Sequence, residues 1–180
     1  MKIVAFAASN SSQSINRALA SYTAHLIPGA EVDLLDLNDF EMPIFSEDRE
    51  REHGHPPAAG AFLARIAAAD ALVISYAEHN GSFSAAYKNL VDWASRLSRK
   101  VFQHKPTLML AAGPGAGGAA SVLALAERSA PSMGANVLAA VSVPSFQDHF
   151  DLARCQAGEG EPMARVRAAA SELQAALAAA

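Results

Sequence analysis

Four serines crowd one short stretch of this sequence, Ser9-Asn10-Ser11-Ser12-Gln13-Ser14-Ile15-Asn16-Arg17. The stretch leaves a short apolar run, residues 3–8, and opens an amphipathic one, residues 14–27. Hydroxyls and amides at a helix start sit where free backbone N–H groups and the helix dipole favour an anion. A phosphate monoester suits that chemistry. Serine and asparagine are also ordinary helix caps, yet a cap uses one such residue and this stretch offers four hydroxyls. A second stretch, Tyr76-Ala77-Glu78-His79-Asn80-Gly81-Ser82, holds an Asn-Gly pair that favours positive φ. Taken alone the pair signals only a turn. At a ligand-binding edge, a stiff turn also presents backbone amides to the donors and acceptors of a flat heterocycle. A third stretch, Gly113-Pro114-Gly115-Ala116-Gly117-Gly118, matches G-x-G-x-x-G. That fingerprint marks a dinucleotide site when it follows the first strand of a βαβ unit and an acid lies about 20 residues on. Here it follows a later strand and Glu127 lies too close. A glycine loop that lets a flat ring approach the backbone fits better.

The elements that must position these stretches alternate along the chain. Residues 3–8, 32–37, 71–75, 107–112 and 137–143 read as strands. Residues 14–27, 58–69, 84–98, 118–133 and 163–177 read as helices, the first with Ile15, Leu19, Tyr22 and Leu26 on one face. Strict alternation implies parallel strands joined by crossover helices, with central strands apolar on both sides. The expected architecture is α/β, a flavodoxin-like three-layer, doubly wound, five-stranded parallel sheet in the order 2-1-3-4-5. The acids of residues 32–37 place that strand at an edge. Residues 38–57 and 144–162 carry no clear period and read as long loops. Ligands of such sheets bind beyond the strand C-termini where the order reverses, and all three unusual stretches emerge there. Residues 1–180 are expected to form a single domain of this type.

Composition narrows the function classes. The chain is 51% hydrophobic and 18% charged, which argues against disorder. The formal net charge is -4 with no basic stripe, so nucleic acid and anionic membranes are not expected as partners. No apolar run approaches the roughly 20 residues that span a bilayer. Residues 1–8 lack the layout of a signal peptide, so a cytoplasmic location is the expectation. Cys155 is the only cysteine and has no disulfide partner in the chain. His53-Gly54-His55 lacks a carboxylate cluster around it, so no metal site is expected. A G-x-S-x-G hydrolase elbow is absent.

With these stretches in place, the chain resembles the NADPH-dependent FMN reductase family over roughly residues 1–143. The resemblance rests on Glu78-His79-Asn80-Gly81-Ser82-Phe83-Ser84 running into Ala85-Ala86-Tyr87-Lys88-Asn89-Leu90-Val91-Asp92-Trp93, on Met42-Pro43-Ile44-Phe45 and on the glycine-rich loop. It implies that Ser9, Ser11, Ser14, Ile15 and Asn16 surround the FMN phosphate. It implies that Ala77, Glu78, His79, Asn80 and Gly81 line the isoalloxazine, mainly through backbone groups, with Gly113, Pro114 and Gly115 flanking the ring. The implied activity is hydride transfer from NADPH or NADH, through FMN, to a small-molecule acceptor such as a quinone, flavin, azo compound or metal oxyanion. No catalytic side chain is required, because the flavin carries the redox chemistry. A homodimer or homotetramer is implied as well. The alternative is a flavodoxin-type electron carrier or a flavin-binding protein without turnover. Two departures stand out: the family's Gly-Ser-x-Arg loop has no arginine here, leaving Arg17 as a substitute, and His79 stands where tyrosine is frequent.

Overall fold

A computed structural model describes residues 1–179. Five strands form its main sheet: β1 (Lys2–Ala8), β2 (Glu31–Leu35), β3 (Ala71–Tyr76), β4 (Pro106–Ala112) and β5 (Asn136–Val143). All neighbours pair in parallel, in the order β2-β1-β3-β4-β5. This is the 2-1-3-4-5 order expected of a flavodoxin-like five-stranded sheet. Among the described residues, seven α-helices accompany the strands: α1 (Ile15–His25), α2 (Glu47–His53), α3 (Pro57–Ala67), α4 (Ala85–Leu97), α5 (Ala120–Ser129), α6 (Phe146–His149) and α7 (Glu161–Ala178).

Strand side chains alternate between two faces, and β1 shows how this divides the core. Ile3 and Ala5 pack with Leu19 of α1 and Val166 and Leu173 of α7. Val4, Phe6 and Ala8 pack with Phe62 of α3, Leu90 of α4 and Val122 of α5. Three layers result, and β1 and β3 are covered on both faces. The edge strand β2 is less covered. Its Asp33 accepts from Arg65 of α3 at 2.7 Å and lies 3.6 Å from Lys2. The hydrogen bonds from Arg65 hold the Asp33 carboxyl below its usual range.

Both expected loops carry regular structure. Residues 38–57 contain α2, and residues 144–162 contain α6 and a hairpin of Phe150–Asp151 with Gln156–Ala157. No residue of α2 is buried, so its sequence has no apolar period to reveal it. Helix α5 also runs only over Ala120–Ser129, shorter than the expected 118–133.

The segment before α2 is strapped to α4. Asn89 Oδ1 accepts from the Phe45 N–H at 2.8 Å, and Asn89 Nδ2 donates to the carbonyls of Met42 at 3.0 Å and Pro43 at 3.2 Å. Trp93 Nε1 donates to the Pro43 carbonyl at 2.7 Å, and the Phe45 ring meets the Trp93 ring edge-on at 5.0 Å. Thus Met42-Pro43-Ile44-Phe45 and Asn89…Trp93, two separate parts of the resemblance, are the two halves of one unit. Arg96 lies over the Phe45 ring and pairs with Glu50 of α2. Asn89→Ala is expected to loosen this strap by roughly 1 kcal/mol, a fivefold rise in its open population. Tryptic cleavage at Arg49 and Arg51 should then quicken by about fivefold; unchanged cleavage would show that Asn89 does not hold the strap.

Candidate functional site

Three loops converge beyond the C-terminal ends of β1, β3 and β4, where the strand order reverses. They enclose a cleft of about 420 Å³. Ser9, Ser14, Ile15 and Asn16 line one end, Ala77 and Glu78 a second wall, and Gly113, Pro114 and Gly115 a third. These nine residues are brought together as the sequence suggests.

The first loop is shaped by its own hydroxyls. Ser9 Oγ accepts from the Ser11 N–H at 3.2 Å, and Ser11 Oγ accepts from the Gln13 N–H at 3.3 Å. Ser14 is the N-cap of α1, its Oγ accepting from the Arg17 N–H at 3.2 Å. Each of these hydroxyls acts as acceptor, which leaves its O–H free to donate. The N–H groups of Ile15 and Asn16 begin the helix and have no carbonyl four residues back within it. This end of the cleft therefore offers several neutral donors. Among the described residues, none lining the cleft is a lysine or arginine. Arg17 faces a neighbouring hollow with Ser12 and Leu152, so it does not replace the missing loop arginine inside the cleft. Ser11 also stays outside the lining and acts by shaping the turn.

Asn16 is 3% exposed, and its amide is engaged elsewhere. Its Oδ1 accepts from the Ala112 N–H at 2.9 Å and from the Ser75 hydroxyl at 2.7 Å, while Nδ2 donates to the Ala112 carbonyl at 3.1 Å. The side chain thus ties the start of α1 to the ends of β3 and β4. What Asn16 offers the cleft is its backbone N–H.

The second loop folds back as a hairpin of Glu78–His79 with Ser82–Phe83. Asn80 (φ 52°) and Gly81 (φ 74°) both occupy the left-handed region, the type I′ geometry that an Asn-Gly pair adopts. The hairpin carries His79, Asn80 and Gly81 to an exposed tip, outside the cleft lining. Behind it, the Tyr76 and Tyr87 hydroxyls are buried without hydrogen-bond partners. Burial pushes both phenols up, so both stay neutral.

The third loop is stapled to the end of β5. Ser142 Oγ donates to the Gly118 carbonyl at 2.7 Å, the Ser145 N–H to the Gly115 carbonyl at 3.0 Å, and the Phe146 N–H to the Gly113 carbonyl at 3.1 Å. Gln13, Ala112, Gly117, Gly118 and Ala119 also line the cleft. Sequence reasoning missed them as lining residues, although the glycine spacing had marked Gly118.

The chain is 36% identical over 121 residues to an NAD(P)H-dependent FMN reductase from Pseudomonas aeruginosa, covering 67% of this chain and 64% of that one. It is 34% identical over 105 residues to an NADPH:quinone oxidoreductase from Arabidopsis thaliana, covering 58% of this chain and 52% of that one. The match thus spans about half to two-thirds of the length of these relatives. A solved flavoenzyme NAD(P)H:acceptor oxidoreductase from Paracoccus denitrificans superimposes with a TM-score of 0.78 at 20% identity, covering 99% of this chain and 97% of that one. An azoreductase from Bacillus anthracis gives 0.64 at 18% identity, covering 97% and 99%. At such identities the two structures speak for a shared fold. The model of the family described as NADPH-dependent FMN reductase matches residues 1–149, and the chain belongs to that family.

Proposed function

We propose that the protein is an NAD(P)H-dependent FMN oxidoreductase that delivers reducing equivalents to a small acceptor such as a quinone. The observation that carries this reading is the donor-rich end of the cleft, where hydroxyls of Ser9 and Ser14 and the N–H groups of Ile15 and Asn16 converge. This set fits a phosphate ester, because helix N-termini bind anions through free N–H groups and the dipole. The cleft volume falls within the range of small-molecule sites. The glycine wall fits a flat ring, because Gly115 and Gly117 place no side chain in its path. When bound, FMN supplies the centre that takes up hydride and passes it on.

The residues bind and orient rather than transfer protons. Ser9, Ser14, Ile15 and Asn16 hold the phosphate; Ala77, Glu78, Gly113, Pro114 and Gly115 border the ring. Ser11 steadies the phosphate loop, and the turn of His79, Asn80 and Gly81 stands at the rim. The carboxyl of Glu78 is the only formal charge among the described residues lining the cleft. Without a cation, phosphate binding rests on neutral donors and the helix dipole. Homodimer or homotetramer assembly and a cytoplasmic location are part of the same reading. Among the described residues, no helix is long and apolar enough to cross a membrane.

The test is the absorbance of the purified protein with added FMN, followed by anaerobic mixing with NADPH and with NADH. Binding should perturb the flavin spectrum, and a nicotinamide nucleotide should bleach it rapidly. Steady-state rates with a quinone should give parallel double-reciprocal lines. A flavin that only dithionite reduces would overturn the enzymatic reading in favour of a carrier.

A further inference from the structure

Helix α5 begins without a cap of its own. Its N-cap residue, Ala119, is left-handed at φ 57° and has no side-chain acceptor, and no acid stands in the first turn. Yet Glu78 Oε2, from the opposite wall of the cleft, accepts from the Val122 N–H at 2.9 Å. Val122 is the third residue of α5, the position that a capping side chain normally satisfies. A carboxylate is also the favourable charge at the positive end of a helix.

We infer that Glu78 is a positioning residue, a remote cap whose bond to α5 sets the width of the cleft. Four bonds hold the glycine loop on the β5 side, three donated by Ser142, Ser145 and Phe146 and one by the Gly113 N–H to the Val143 carbonyl at 3.3 Å. On the side facing the second loop, Glu78 supplies the tie. Its own backbone is fixed by the hairpin pairing of Glu78 with Phe83. The Asn80-Gly81 turn that closes this hairpin therefore serves a second purpose. It holds the carboxylate at the right distance to reach α5. The slot between Ala77 and Gly113 is then set before any ligand arrives, which lowers the ordering cost of binding. The consequence for FMN rests on the function proposed above, whereas the cap itself does not.

The experiment compares wild type, Glu78→Ala and Glu78→Gln. Gln keeps an oxygen that accepts from Val122 but removes the charge. In the protein without FMN, amide exchange at Val122 should quicken about fivefold in Glu78→Ala, as loss of a cap requires, and stay within about twofold of wild type in Glu78→Gln. The Kd for FMN should weaken about tenfold in Glu78→Ala and recover in Glu78→Gln. Inorganic phosphate should bind Glu78→Ala and Glu78→Gln equally, because both lack the carboxylate charge and the phosphate end does not touch this bond. Unchanged Val122 exchange in Glu78→Ala would overturn the proposal. So would FMN binding as weak in Glu78→Gln as in Glu78→Ala, which would assign the effect to charge. If wild type bound no FMN, the functional reading would fail, and Val122 exchange would still decide the cap.

Discussion

Replacing Asn16 by alanine is expected to lower the melting temperature by on the order of 10 °C, one of the two largest effects expected of a single substitution here. The side chain is buried and joins three partners: the Ala112 N–H, the Ala112 carbonyl and the Ser75 hydroxyl. Each buried polar group left without a partner costs roughly 1–3 kcal/mol. Losing the set should cost roughly 3–5 kcal/mol, and a domain of this size shifts by about 2–4 °C per kcal/mol. Ser75→Ala removes one partner and leaves Asn16 bonded to Ala112, so about 1 kcal/mol is expected. The double variant should be hardly worse than Asn16→Ala alone, because the groups form one network. Thermal unfolding of the three variants checks this. Additive losses, or an Asn16→Ala protein melting within about 3 °C of wild type, would refute the network.

Asn16 also shows where sequence reading stops. Its place at a helix start, and the family resemblance, marked it as a phosphate contact. The side chain instead bonds Ala112, 96 residues away. Nothing local distinguishes an amide that meets a ligand from one that ties a helix to a sheet. The same limit hid the cap on α5, since Glu78 and Val122 are 44 residues apart. By contrast, the sheet was legible because its signal is local and repeated. Each central strand is a short apolar run, and each crossover helix shows an apolar stripe. The order of the strands rests on the flavodoxin-like pattern for five alternating strands, with which the acids of β2 at an edge agree. Helix α2 escaped because all of its residues stay unburied, so burial left no pattern in its sequence. The loop of Ser9 and Ser14 was found for the opposite reason: the density of hydroxyls exceeds what capping alone uses. The Asn-Gly pair marks the exposed tip at His79, Asn80 and Gly81 as a turn. Its direction depends on hairpin pairing with Phe83, which the turn residues do not reveal.

Gly118→Ala is expected to destabilise the protein by roughly 2–4 kcal/mol and to weaken FMN binding with it. Gly118 has φ 57°, a region that costs other residues conformational energy. A methyl group there would also stand 2.8 Å from the Pro144 nitrogen and 3.0 Å from its Cα, and closer still to Ser142 Oγ. The serine can rotate away, at the loss of its bond to the Gly118 carbonyl; the proline backbone cannot. The loop must therefore lift from β5 and disturb the glycine wall of the cleft. Gly117→Ala is the control, because its added methyl meets nothing within 4 Å and its φ is not left-handed. It should melt within about 2 °C of wild type. Adding Ser142→Ala to Gly118→Ala should restore part of the loss but not the part due to Pro144. This separates two reasons for a glycine in the Gly113, Gly115, Gly118 spacing. If Gly118 served only to let a ligand approach, the alanine variant would melt normally without FMN and differ only in binding. A normal melting temperature for the FMN-free Gly118→Ala protein would therefore reject the packing argument and return this glycine to the ligand.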